Sequence, residues 1–256
     1  MNGPASPASS GAGPVRAAWR IARSVVHGLH GVLICACIFP FLDASARMHR
    51  VGWWSARMLD LLGIEVRASG VVQAAPVLLL ANHVSWLDIL AINAVEPARF
   101  VSKADVRAWP LLGYLIESGG TLFIERERKR DALRVVHQVA DALKGGARVA
   151  VFPEGTTGVG PRLLPFHANL QQAAIASGAP VQAVALRYAD ATSAFSAVVA
   201  WIGETSLAVS VWRIASCASL RVHVTLLPAI ETTGFERRTL SESVRAQIQG
   251  ALDASA

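Results

Sequence analysis

From Gly63 onward, short apolar runs alternate with longer amphipathic ones. IEVRAS (64–69), VLLLAN (77–82), ARFVSK (98–103), TLFIE (121–125), RVAVF (148–152) and VQAVALRY (181–188) have the length and apolar content of strands. Helical patterns lie between several of them, at Trp86–Val95, Asp131–Leu143 and Ala168–Ser177. A VTLL stretch at 224–227 adds another strand, and Arg237–Leu252 reads as a terminal helix. This alternation predicts an α/β fold: a mainly parallel mixed sheet flanked by helices on both faces. In such sheets chemistry gathers where strand ends feed loops.

The first quarter has a different pattern. Residues 1–14, MNGPASPASSGAGP, have the composition of a disordered tail. Arg16, Arg20 and Arg23 then precede Ser24–Leu42, 19 residues without a charge, about enough for a helix to cross a bilayer core. Basic residues before it and Ala44-Ser45-Ala46 after it also suit a signal peptide, but Trp53-Trp54 and the continuing amphipathic pattern argue against one. His27, His30 and Pro40 make the span imperfect. Arg47, Arg50 and Arg57 beside Trp53-Trp54 read as an interfacial helix. The expectation is an N-terminal two-helix membrane anchor over 15–62, embedded in or lying on one leaflet, with a full span as the second choice. One catalytic domain over 63–256 would follow.

Composition sharpens this picture. The chain is 53% hydrophobic and 16% charged with a mean hydropathy of +0.41, where about 25% charged is usual. A net charge of +6 points to an anionic partner. Hydrophobicity and positive charge together favour a membrane surface over nucleic acid, for which no binding signature is present. Cys35, Cys37 and Cys217 have no metal-ligand spacing, and their odd count argues against a disulfide framework. No metal or prosthetic group is expected.

The candidate chemistry begins at NHVSWLD, 82–88. On one continuous helix, His83 and Asp88 would stand about 140° apart. They can meet if His83 lies in the turn after the strand and Asp88 in the first helical turn. Ser85 to Asp88 also reads as a capping box, so Asp88 could be only a cap. Alternatively, the imidazole takes a proton from an alcohol and the carboxylate fixes its tautomer. No GxSxG elbow supplies a protein nucleophile, so the substrate's own hydroxyl would attack. GTLFIER (120–126) ends a strand in an arginine, and FPEGTTG (152–158) ends another in a Gly/Thr-rich turn. Such features suit phosphate.

In this order the blocks resemble the glycerolipid acyltransferases, the lysophosphatidic acid acyltransferase family. NHVSWLD is similar to its NHxxxxD block, GTLFIER, FPEGTT and Ala179-Pro180-Val181 to the next three, and SKADVRAWPLLG (102–113) to its lysine-containing segment. The resemblance spans roughly residues 60–230. It implies His83 as general base with Asp88 as its orienter. The acceptor would be held by Asn82, Lys103, Arg126, Glu154, Gly155 and Thr156, with Glu154 positioning a cation such as Arg126. Ser85 or an amide of the 83–86 turn would meet the oxyanion. Trp109, Trp201 and Trp212 either edge an acyl groove or pack in the core, the latter expected for at least two. The run 126–130 is first of all a solvated helix start, with contact to anionic lipid or docking of an acidic acyl-carrier protein as the alternatives.

The implied reaction moves a fatty acyl group from acyl-CoA or acyl-carrier protein to a lysolipid, most directly 1-acyl-glycerol-3-phosphate, forming phosphatidic acid at the cytoplasmic face of the inner membrane. Two departures bear on the acceptor. Thr157 stands where the third block often has arginine, and Ala183 where the fourth often has a second proline. The first is similar to members that acylate a lyso-ornithine lipid, whose headgroup lacks phosphate.

Overall fold

The computed structural model describes residues 13–124 and 129–255, with only the backbone of 129–132. Nearly all of the expected tail, Arg126, and most of the charged run at 126–130 lie outside the described residues.

The chain begins with α1 (Pro14–Cys37), a 3-10 turn at Phe39–Phe41 and α2 (Ala44–Leu62). Strand β1 (Ile64–Gly70) and β2 (Val77–Ala81) lead into α3 (Leu87–Val95) and β3 (Arg99–Lys103). A 3-10 turn at Ala104–Ala108 precedes α4 (Leu112–Ser118), β4 (Leu122–Ile124), α5 (Lys129–Lys144) and β5 (Arg148–Val151). The remainder is α6 (Gln171–Ser177), β6 (Val181–Asp190), α7 (Leu207–Ser216), β7 (Leu220–Ile230) and α8 (Arg237–Asp253). Helices α4 and α7 and the full length of β7 exceed what the apolar pattern predicted.

The seven strands among the described residues join one sheet in the order β1-β7-β6-β2-β5-β3-β4. Only β6 and β7 run antiparallel. Strand β2 is buried on both faces, as its unbroken VLLLA run requires. Leu79 joins Leu59, Leu62, Leu87 and Ile214 of α2, α3 and α7 on one face. Leu78 and Leu80 join Val139, Leu143, Ala173, Val244 and Ile248 of α5, α6 and α8 on the other.

The two N-terminal helices pack onto the first of these faces, α1 against α7 and α2 against α3. Pro14 occupies the first turn of α1, where its missing N–H leaves no helical bond unmade. Asp43 caps α2 by accepting the Ala46 amide at 2.8 Å, and Gly63 ends it at φ 81°. The pair is fastened reciprocally: His27 Nε2 donates to the Trp54 carbonyl at 3.0 Å, and Trp54 Nε1 donates to the His27 carbonyl at 3.1 Å. Arg20 donates to the carbonyls of Ala215 and Cys217 at 3.0 and 2.7 Å. No helix among the described residues is long and apolar enough to cross a membrane.

The capping box forms by half. Asp88 Oδ2 reaches back to the Ser85 amide at 2.9 Å, but the Asp88 amide donates to the Ser85 carbonyl, not to its hydroxyl. Ser85 Oγ is buried without a partner, and the helix begins one residue later than the box implies.

Candidate active site

His83 leaves the carboxyl end of β2, and Asp88 sits in the first turn of α3. His83 Nδ1 meets Asp88 Oδ2 at 2.8 Å. The carboxylate is wholly buried, and no cation pairs with it among the described ion pairs other than His83. Its charge is held by donors instead: Oδ2 accepts the Val84 and Ser85 amides at 2.6 and 2.9 Å, and Oδ1 accepts the Tyr188 hydroxyl at 2.7 Å. Bonds to an ionised acceptor are stronger than neutral ones, so the side chain orients the histidine as well as the helix start. Burial, then the neighbouring Asp88 charge, holds the Tyr188 phenol well above its usual range, which keeps it a donor.

The imidazole lies flat on Phe152 at 4.0 Å between ring centroids, with 9° between planes. With Nδ1 engaged, Nε2 is the nitrogen left for substrate. The backbone beneath the ring is clamped by the β5 loop. Glu154 Oε1 accepts the His83 amide at 2.7 Å, its Oε2 accepts Leu164 N at 2.9 Å, and Gly158 N donates to the His83 carbonyl at 2.7 Å. Burial raises the Glu154 carboxyl above the ordinary range, against the pull of the Leu164 and His83 amides. Gly155 turns this loop at φ 71°, a conformation that strains a side chain.

His83 opens onto a cavity of about 590 Å³. The sheet side contributes Phe100, Lys103, Phe152, Gly155 and Thr156, and the opposite wall comes from Gly31, Ile34, Arg50 and Trp54 of the N-terminal helices. Trp109 and Trp201 line it as an edge-to-face pair 6.4 Å apart. The expectation that at least two of the three tryptophans pack in the core is thus corrected: these two face the cavity and Trp212 is exposed.

Lys103, Gly155 and Thr156 therefore join His83 at one cavity, with Asp88 directly behind it. Asn82 does not reach it. Its side chain is 1% exposed and exchanges two bonds with the Leu186 backbone, at 2.9 and 2.7 Å, sewing β2 to β6. Glu154, among the described residues, positions backbone amides and not a cation. Arg126 lies outside the described residues. The amides of His83, Val84 and Ser85 are engaged by carboxylates, and Ser85 is buried behind the cavity wall. That removes Ser85 and the amides of residues 83–85 as oxyanion donors. Thr157 also lines the cavity, with its hydroxyl donating to the Trp201 carbonyl. Tyr188 was not anticipated, and Arg50 was expected on an interfacial helix and not in the cavity wall. A tyrosine in a buried strand needs a hydroxyl partner, which is the one signal that marked Tyr188.

Fold and geometry describe an α/β enzyme with an oriented histidine in an apolar chamber, suited to group transfer onto an amphipathic acceptor. A family model for acyltransferases matches residues 63–187. A lyso-ornithine lipid O-acyltransferase of Pseudomonas aeruginosa is 38% identical over 219 residues, spanning 83% of this chain and 82% of that protein. A 1-acyl-sn-glycerol-3-phosphate acyltransferase of Neisseria meningitidis is 38% identical over 192 residues, spanning 73% and 75%. The crystal structure of the 1-acyl-sn-glycerophosphate (LPA) acyltransferase PlsC from Thermotoga maritima has the same fold, with a TM-score of 0.65 over 92% of this chain and 97% of that one, at 19% identity. The chain belongs to the acyltransferase family. It is an O-acyltransferase of the lysophosphatidic acid acyltransferase group.

Proposed function

We propose that the protein moves a fatty acyl group from a thioester, acyl-CoA or acyl-carrier protein, to the free hydroxyl of 1-acyl-sn-glycerol-3-phosphate, yielding phosphatidic acid. The observation that carries this reading is the 2.8 Å contact between His83 Nδ1 and buried Asp88, with the ring on the wall of the apolar cavity. His83 Nε2 takes the proton as the acceptor oxygen attacks the thioester carbonyl. The tetrahedral intermediate collapses, the carbon–sulfur bond breaks, and the thiolate leaves with the proton from the imidazolium. Asp88 holds the tautomer and stabilises the transient cation. Thr156 is the hydroxyl in the wall assigned to the developing oxyanion, and Lys103 the cation assigned to the acceptor's phosphate.

We assign the protein to the cytoplasmic face of the inner membrane. Trp19, Val26, Leu29, Leu33 and Trp53 are exposed on α1 and α2, next to Arg16, Arg23 and Arg50, the pattern of a surface-lying amphipathic pair. A second acceptor, a lyso-ornithine lipid, is favoured by one observation: Thr157 replaces a phosphate-binding arginine and its hydroxyl bonds the Trp201 carbonyl.

The test is transfer by the purified full chain from labelled acyl-CoA and acyl-carrier protein to each acceptor. We expect ester formation, reduced about 10²-fold or more by His83→Ala. Equal free fatty acid release with and without acceptor overturns the reading in favour of a thioesterase. Undiminished transfer by His83→Ala removes the histidine from the chemistry.

A further inference from the structure

The sheet face that carries α5, α6 and α8 is left uncovered at its β1 edge, and the residues there are basic. The pairing register sets Arg187 of β6 directly opposite His223 of β7, and His223 directly opposite Arg67 of β1. All three point away from the α1–α3 face, because their strand neighbours Leu186, Tyr188, Val222, Val224 and Val66 belong to that core. Arg221 lies one pleat along, paired with Glu65 at 2.8 Å, and Glu65 also pairs with Arg67. One carboxylate thus serves two of the guanidinium groups. Like charges directly opposite on neighbouring strands oppose folding. The opposition is felt by His223, which burial and then Arg187, Arg221 and Arg67 push below the usual imidazole range. Charges on the edge strand β1 protect it from pairing with another chain, which accounts for Glu65 and Arg67. They do not account for cations on the inner strands β6 and β7.

Position gives the row its meaning. Leu186 is the residue whose backbone holds Asn82, so Arg187 stands at the same end of the sheet as His83, two strands from the row's far end. Strands about 4.8 Å apart spread the three groups over about 10 Å, on an open face with Arg67 60% exposed. A flat, spread cationic row matches an acidic macromolecular surface better than a small anion, which needs a concave site. The exposed apolar residues of α1 and α2 lie on the opposite side of the sheet, as does the cavity wall they form. A bilayer seated on those helices leaves the row free, and a carrier's thioester arm reaches His83 round the carboxyl ends of β2 and β6.

We propose that the Arg187–His223–Arg67 row docks the acidic surface of a carrier protein bearing the acyl thioester. This rests on the transfer reaction proposed above. The test compares kcat/KM for acyl-carrier protein and for acyl-CoA, with one acceptor, in wild type, Arg67→Glu and the milder Arg187→Gln. The carrier-protein value should fall about 10-fold in Arg67→Glu and lose its salt dependence, while the acyl-CoA value stays within about 2-fold. An equal fall with both donors, no fall with either, or a wild type that uses acyl-CoA alone overturns the docking site and leaves the transfer reaction standing. Loss of binding to anionic vesicles by Arg67→Glu also overturns it, in favour of a lipid surface. Transfer from neither donor by wild type sinks the reaction itself.

Discussion

The two loops that meet at the cavity each bury a carboxylate, and the two do different work. Asp88, after β2, accepts four donors, among them a titratable ring and a phenol. Glu154, after β5, accepts two backbone amides. Burial is nearly equal, at 0% and 5% exposure. What separates them is the identity of the donors. A carboxylate facing an imidazole can answer a proton arriving on that ring, whereas one facing peptide amides can only hold a loop.

Substitutions should split the pair. The largest effect is expected for Asp88→Asn: turnover falls about 10²-fold or more, because the base loses the charge that steadies its protonated form. Steady-state kinetics beside a thermal melt would show it, and a loss under about 5-fold would make Asp88 a cap alone. Glu154→Gln is next. Its amide group would face one of the two N–H donors, orphaning it at a cost of about 1–3 kcal/mol, with turnover down by about 10-fold.

The melts also carry a pH signature. The raised native value of Glu154 favours its protonated form in the fold, so its contribution is fully present below the ordinary value of 4.5 and is lost as pH rises through the native one. Wild type should therefore lose ground to Glu154→Gln in Tm as pH rises through that window. A gap constant with pH would contradict the assignment. Tyr188→Phe is the smallest: the three donors to Oδ2 remain, so turnover drops by less than about 10-fold and stability by about 1.5–3 kcal/mol. A KM change without a change in turnover would show that Tyr188 acts on substrate.

Much of this contrast could be read from residues close in sequence. The strands were legible because runs such as Val77–Ala81 carry their burial in plain view, and His83 with Asp88 because five positions separate them. Tyr188 was not, since it meets Asp88 across 100 residues and only the sheet order brings β6 beside β2. Helix α7 was missed because it is only ten residues long and its buried positions, Ser210, Ile214 and Ala215, include two small residues that mark no apolar stripe. Asn82 misled for the opposite reason. It sits beside the histidine in the motif, yet its amide group turns into the sheet.

Arg20 ties the first helix to a distant part of the chain. The carbonyls it grips belong to residues 195 and 197 positions further along the chain. During synthesis the first helix is made long before its seat on α7 exists. The hairpin of α1 and α2 is therefore complete before α7, part of the domain face it will cover, has been made.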